Sequence, residues 1–158
     1  MPTPRVMECS RAIPVEVQAA FSRTLPIPLP MIFNRRYGPI GPVTAVRDQS
    51  GEWGSVGQSR TVVQAGGTTL REELTRVDAP DVFGYRLSEV RGPLAPLVDH
   101  VEGEWQFDPV GTGTQVTWRW TVYPKSAVAA LALPVFARIW QGFARQALER
   151  LSEELLSP

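Results

Sequence analysis

Histidine, cysteine and lysine each occur once in this 158-residue chain, as His100, Cys9 and Lys125. A lone cysteine excludes an internal disulfide. One histidine with one cysteine leaves too few soft ligands for a zinc site, so no metal is expected; no cofactor is expected either. Surplus charge is missing too: Lys+Arg and Asp+Glu are 16 each. That balance argues against a nucleic-acid or anionic-membrane surface built on bulk charge. The dominance of Arg over Lys reads as coding bias. No basic N-terminal segment precedes an apolar core, so no signal peptide is expected. The longest apolar run, Ala127–Ile139, is broken by Pro134 and Arg138 and is too short for an integral membrane segment. No Gly-x-Ser-x-Gly elbow supports serine hydrolase chemistry. The expectation is a cytoplasmic protein, monomer or homodimer, with a single domain over residues 1–158.

What remains is an ordinary globular composition, 43% hydrophobic and 20% charged, long enough to bury roughly two-thirds of its unfolded surface. Arg5–Ile13 reads as a strand. Pro14 opens a helix over Val15–Thr24, with Val17, Ala20, Phe21 and Leu25 at helical spacing. Pro26–Pro42 carries five prolines, which limit it to a short helix around Met31–Arg35. That segment reads as a stiff apolar loop closing one end of the domain; the alternative is a polyproline ligand for a partner. From Val43 onward the period becomes two. Val43–Asp48, Gln58–Gln64, Thr69–Asp78, Val82–Val90, Val98–Phe107 and Thr114–Tyr123 read as consecutive strands, split by "SGEWG", "AGG", "DAPD", "RGPLAP" and "DPVGTG". Such short links imply an antiparallel meander. "GTGT" at Gly111–Thr114 lacks a following Lys and helix, so it is a hairpin turn and not a phosphate loop. Val128–Leu156 is the strongest helix. Ala132, Phe136, Ile139, Trp140, Phe143, Ala147, Leu151 and Leu155 share one face, and Arg138, Gln141, Arg145, Glu149, Ser152 and Glu153 take the other. Pro134 should mark its start or a kink.

This order is α+β, and several strings resemble the SRPBCC superfamily. That group comprises the START-like, polyketide cyclase/dehydrase and lipid-transport proteins that share the birch-pollen-allergen helix-grip fold. "IPVEVQAAF" (Ile13–Phe21) resembles its first strand-to-helix junction. "VGQSR" (Val56–Arg60) and "EELTRVDAPDVFGYRL" (Glu72–Leu87) resemble its central hairpins. "GEWQFDPVGTGTQVTWRW" (Gly103–Trp120) resembles its Gly-x-Trp-x-Phe-x-Pro…Gly-Thr-x-Val-Thr-Trp hairpin. The resemblance implies a curved antiparallel sheet of about seven strands around a long C-terminal helix, with two short helices after the first strand. It also implies a cavity between sheet and helix, and members that carry hydrophobic ligands, cyclise polyketides or bind proteins. It supplies no catalytic residue set, because fold alone gives no activity.

Strand parity sorts the side chains that would line such a cavity. Val116, Trp118, Trp120 and Val122 face inward in the last long strand. Val101, Trp105 and Phe107 do so in the strand before it, sharing parity with Asp99 and Gly103. Phe83, Tyr85 and Leu87 form the matching set one strand earlier. Opposite them stand Phe136, Trp140 and Phe143 of the terminal helix. The expected ligand-binding set is therefore Tyr85, Leu87, Asp99, Val101, Trp105, Trp118, Trp120, Phe136, Trp140 and Phe143. The partner would be a hydrophobic small molecule, lipid or polyketide-like. Tyr85, Asp99 and Arg60 or Arg71 would orient it, while Glu72 and Glu73 have opposite parity, so one of them points inward. The first alternative is a cyclase or dehydrase using Asp99 with Tyr85; the second is a protein-interaction module with a filled core. Cys9 reads as buried and inert, and Arg35–Arg36 as a solvated loop.

The single histidine lies in "PLVDHVEGEWQF" (Pro96–Phe107), amid three carboxylates. Parity turns His100, Glu102, Glu104 and Gln106 outward, toward cross-strand pairing with Arg86 or Arg119. A bulge at Gly103 would reverse this, bringing His100 in and turning Asp99 out.

Overall fold

The computed structural model describes residues 2–157. The chain runs β1 (Arg5–Ile13), α1 (Val17–Thr24), α2 (Leu29–Ile32), β2 (Val43–Arg47), β3 (Ser59–Gln64), β4 (Thr69–Asp78), β5 (Val82–Arg91), β6 (Val98–Val110), β7 (Gly113–Pro124) and α3 (Ala127–Leu156). All seven strands form one antiparallel sheet ordered β1-β7-β6-β5-β4-β3-β2. The meander β2 to β7 follows from the short turns. The two short helices carry the chain from β1, at one edge, across to β2 at the other.

Local chemistry moves some boundaries. Helix α1 starts at Val17, two residues later than Pro14 suggests, because the Val15 N–H bonds back to the Ile13 carbonyl. Glu16 then caps the helix, its carboxylate accepting from the N–H groups of Gln18 and Ala19. Helix α2 lies nearer the N-terminus than Met31–Arg35, with a proline in its first turn, where a missing N–H costs nothing. Ser126 caps α3, accepting from Ala129 N–H at 3.1 Å. Pro134 therefore sits inside the helix and does not start it.

Helix α3 lies against the sheet and buries Leu133, Phe136, Trp140, Phe143, Leu148, Leu151 and Leu155. By length and composition α3 is apolar enough to cross a membrane, but here it is the core helix. Ser152, expected on the outer face, is buried. Near the start of α3, Val128, Leu131 and Val135 remain exposed.

Strand β6 holds the main departure from simple alternation. Val98 pairs with Pro124 and His100 with Tyr123, so the register slips at Asp99. Both Val98 and Val101 are fully buried, a spacing of three that alternation forbids and a bulge permits. The bulge is at Asp99 and not at Gly103. Downstream, the expected outward set holds: Arg86 donates to Glu102 at 3.1 Å and Arg119 to Glu104 at 3.4 Å.

Candidate ligand-binding cavity

Between the sheet and α3 lies a cavity of about 510 Å³. Strands β3 to β7 supply its floor, and α3 supplies its roof through Ala132, Val135, Phe136, Ile139, Trp140 and Phe143. The proline-rich segment closes one side with Leu29, Ile32, Phe33, Pro39 and Ile40. Pro93, Leu94 and Leu97 of the β5–β6 connection complete the rim. Exposed Pro39, Pro93, Ala132 and Val135 mark where the cavity meets solvent.

The floor is aromatic because cross-strand register stacks large residues in rows. Trp105 pairs with Trp118 across β6 and β7, and the two rings stack at 5.4 Å. Trp118 also meets Phe33 at 5.1 Å and Trp140 at 4.8 Å. The next row reads Tyr85, Gly103, Trp120 across β5, β6 and β7. Glycine is required there: a Cβ on Gly103 would stand 2.1 Å from Tyr85 Cζ. The gap lets the phenol lie across β6 and reach both indoles of β7. Trp118 Nε1 and Trp120 Nε1 donate to Tyr85 Oη at 2.7 and 2.8 Å. Burial, with the nearby Glu72 charge, holds the phenol well above the usual tyrosine range, against the opposing pull of the two indole bonds. Tyr85 is a neutral hydroxyl at any physiological pH.

A second polar element is an ion pair on the floor. Arg60 and Glu72 are cross-strand partners, and Arg60 Nε donates to Glu72 Oε1 at 2.8 Å with both side chains almost fully buried. Arg60 Nη1 donates to Gln49 Oε1 at 3.2 Å, and the guanidinium lies 3.8 Å from the Trp53 ring centroid. Burial raises the Glu72 carboxyl above its ordinary range, and Arg60 opposes that shift. Of the alternatives left open by parity, Arg60 and Glu72 point inward. Arg71 instead faces outward, donating to Thr61 and Ser59 hydroxyls.

Of the ten residues expected to bind ligand, Tyr85, Leu87, Trp105, Trp118, Trp120, Phe136, Trp140 and Phe143 line the cavity. Val101 is buried but lies outside the lining. Asp99 is a correction. The bulge turns it outward with its side chain half exposed, where it accepts from His100 Nδ1 at 2.7 Å and approaches Lys125 at 3.9 Å. The His100 contact lowers the Asp99 carboxyl below its ordinary value. His100 stays outside as well, stacked on Tyr123 with centroids 4.2 Å apart. Asp99 points outward and does not line the cavity that Tyr85 lines, so the expected acid–base pair of Asp99 with Tyr85 does not form. Phe33 is a lining residue that sequence reasoning misses; only its place in the apolar proline segment hints at it.

A seven-stranded curved sheet gripping one long helix, with an aromatic cavity between them, defines the helix-grip fold. The chain belongs to the family described as polyketide cyclase / dehydrase and lipid transport, which residues 8–155 match. Solved structures show the same fold at low identity. Ara h 8.0201 superposes with a TM-score of 0.73 at 15% identity, covering 98% of this chain and 99% of that one. Ginseng major latex-like protein 151 from Panax ginseng gives 0.72 at 13%, covering 99% and 100%. Norcoclaurine synthase from Thalictrum flavum, in complex with dopamine and hydroxybenzaldehyde, gives 0.71 at 14%, covering 98% and 87%. No curated protein matches the chain.

Proposed function

We propose that this protein binds and carries a hydrophobic small molecule, lipid or polyketide-like, in the cavity beneath α3. The observation that carries the reading is the 510 Å³ space lined by four tryptophans and largely apolar side chains. That volume suits a drug-sized ligand, and a few convergent polar groups amid apolar walls are what such sites present. The driving force is burial of ligand surface, worth roughly 25 cal/mol per Å² of apolar area before the costs of association. Balanced charge and a single free cysteine fit a cytoplasmic monomer or homodimer whose partner is a small molecule and not a nucleic acid.

A protein-interaction module with a filled core has no place for this cavity. A cyclase or dehydrase would use the same space, with Glu72 and Tyr85 as the acid–base candidates among the described lining residues; the family description favours keeping that reading as the second. Native mass spectrometry with 2-benzoylnaphthalene, a three-ring apolar probe, tests the first. A 1:1 complex is expected, and the cavity-filling substitution Leu87→Trp should abolish it in a folded protein. Binding unaffected by Leu87→Trp, or no binding at all, would contradict the proposal. Turnover of a poly-β-keto substrate that Glu72→Gln removes would transfer the function to the enzyme reading.

A further inference from the structure

Tyr85 Oη accepts hydrogen bonds from two indoles, at 2.7 and 2.8 Å. A phenol has one proton to give and two lone pairs to receive with. Both receiving positions are taken by groups that can only donate, since an indole N–H never accepts. The remaining capability is donation, yet no side chain or carbonyl among the described residues accepts from Tyr85. The phenol ring packs on Gly103, and the two indoles hold its hydroxyl in place. Its residue lines the cavity.

From this we infer that Tyr85 is a specificity-determining donor of the site, beside the unpartnered indole N–H of Trp140. The ligand is an apolar, aromatic or polycyclic molecule bearing an acceptor oxygen, a carbonyl in the probe below, that accepts a hydrogen bond from the Tyr85 hydroxyl. This rests on the ligand-binding proposal and names the chemistry that proposal leaves open. A hydrocarbon at the same place strands a buried donor, and a ligand N–H directed at Tyr85 finds no free lone pair. The Trp118 and Trp120 indoles are positioning residues: they fix the direction in which the phenol donates. The neutral state of the phenol supports the same role, because a phenolate could not donate.

The test compares 2-benzoylnaphthalene with 2-benzylnaphthalene, identical but for a carbonyl in place of a methylene. Affinities come from isothermal titration with the probe in the cell. The intact protein should favour the ketone by about tenfold to a hundredfold, the span set by one buried donor satisfied or stranded. Tyr85→Phe should bring the ratio close to one while retaining the methylene compound. The ratio is read within each protein, so a general weakening of the Phe variant does not affect it. The carbonyl stretch of the bound ketone gives a second readout: it should fall to lower wavenumber in the intact protein and return in Tyr85→Phe. Gly103→Ala, which keeps the hydroxyl but displaces the ring, should lose the selectivity too.

Equal affinities in the intact protein, or a ketone preference that survives Tyr85→Phe with an unchanged stretch, would overturn the inference and leave the carrier reading standing. Failure of both probes to bind would instead remove the carrier reading itself.

Discussion

Gly103→Ala tests the packing on which the site depends. The added methyl would sit 2.1 Å from Tyr85 Cζ, 2.3 Å from Cε2 and 2.6 Å from Oη. The β6 backbone is paired on both sides, with Tyr85 and with Trp120, so the strand cannot retreat. The ring must move. Overpacking in a filled region costs about 1–3 kcal/mol. Displacing the phenol also breaks the two indole bonds, each worth about 1 kcal/mol net. Together these give a loss of about 3–5 kcal/mol, a large share of a typical domain's stability. With a urea slope of about 2 kcal/mol/M, the midpoint should fall by about 2 M. The deciding assay is a double-mutant cycle with Tyr85→Ala. The methyl introduced by Gly103→Ala then enters space the ring has left, so the two losses should fall short of additivity by about 2 kcal/mol. Losses that add within about 0.5 kcal/mol would refute the claim that Tyr85 rests on Gly103.

Arg60→Met leaves Glu72 buried without its cation and should cost about 3–5 kcal/mol in urea unfolding, whereas Arg60→Met with Glu72→Leu should recover most of that loss. Additive losses in the pair would contradict a coupled ion pair. The raised Glu72 carboxyl means the folded state holds that proton more tightly than the unfolded chain does. Wild type should therefore lose stability relative to Glu72→Gln as pH rises from about 4.5 through the raised value; the opposite slope would contradict it. Asp99, with its carboxyl lowered by His100, contributes with the other sign: its stabilisation is present above the ordinary Asp range and is lost as pH falls through the lowered value. Asp99→Asn should leave the affinity for 2-benzoylnaphthalene unchanged within about twofold by titration, because the side chain lies outside the cavity; a loss of about tenfold, the equivalent of one good polar contact, would place it back inside.

The strands of this fold are legible because period-two runs end at turn residues. The ends of β4 at Thr69 and Asp78 and the start of β6 at Val98 coincide with the sequence reading. Eight of the ten expected lining residues line the cavity; on the sheet, Tyr85, Trp105, Trp118 and Trp120 follow from parity because their strands alternate there without interruption. Asp99 fails for a specific reason. One extra residue in a bulge inverts every parity assignment upstream of it, and the bulge leaves no mark in composition. The Arg60–Glu72 pair is half visible: the charges are obvious, but which of Glu72 and Glu73 faces in depends on the β3–β4 register. Phe33 and Ile40 belong to the proline-rich segment, where no periodicity exists to assign a face. The outward charges of β6 form ordinary cross-strand pairs, and the histidine that looks most like chemistry in the sequence is stacked on Tyr123 and bonded to Asp99, outside the cavity lining.

The central claim is that the space beneath α3 takes an apolar ligand. The most direct measurement is the set of indole N–H resonances during titration with 2-benzoylnaphthalene. Saturable 1:1 shifts are expected for Trp105, Trp118, Trp120 and Trp140, which line the cavity, with Trp53, which does not, moving least. Shifts confined to Trp53 and surface amides, or none at saturation, would contradict the claim.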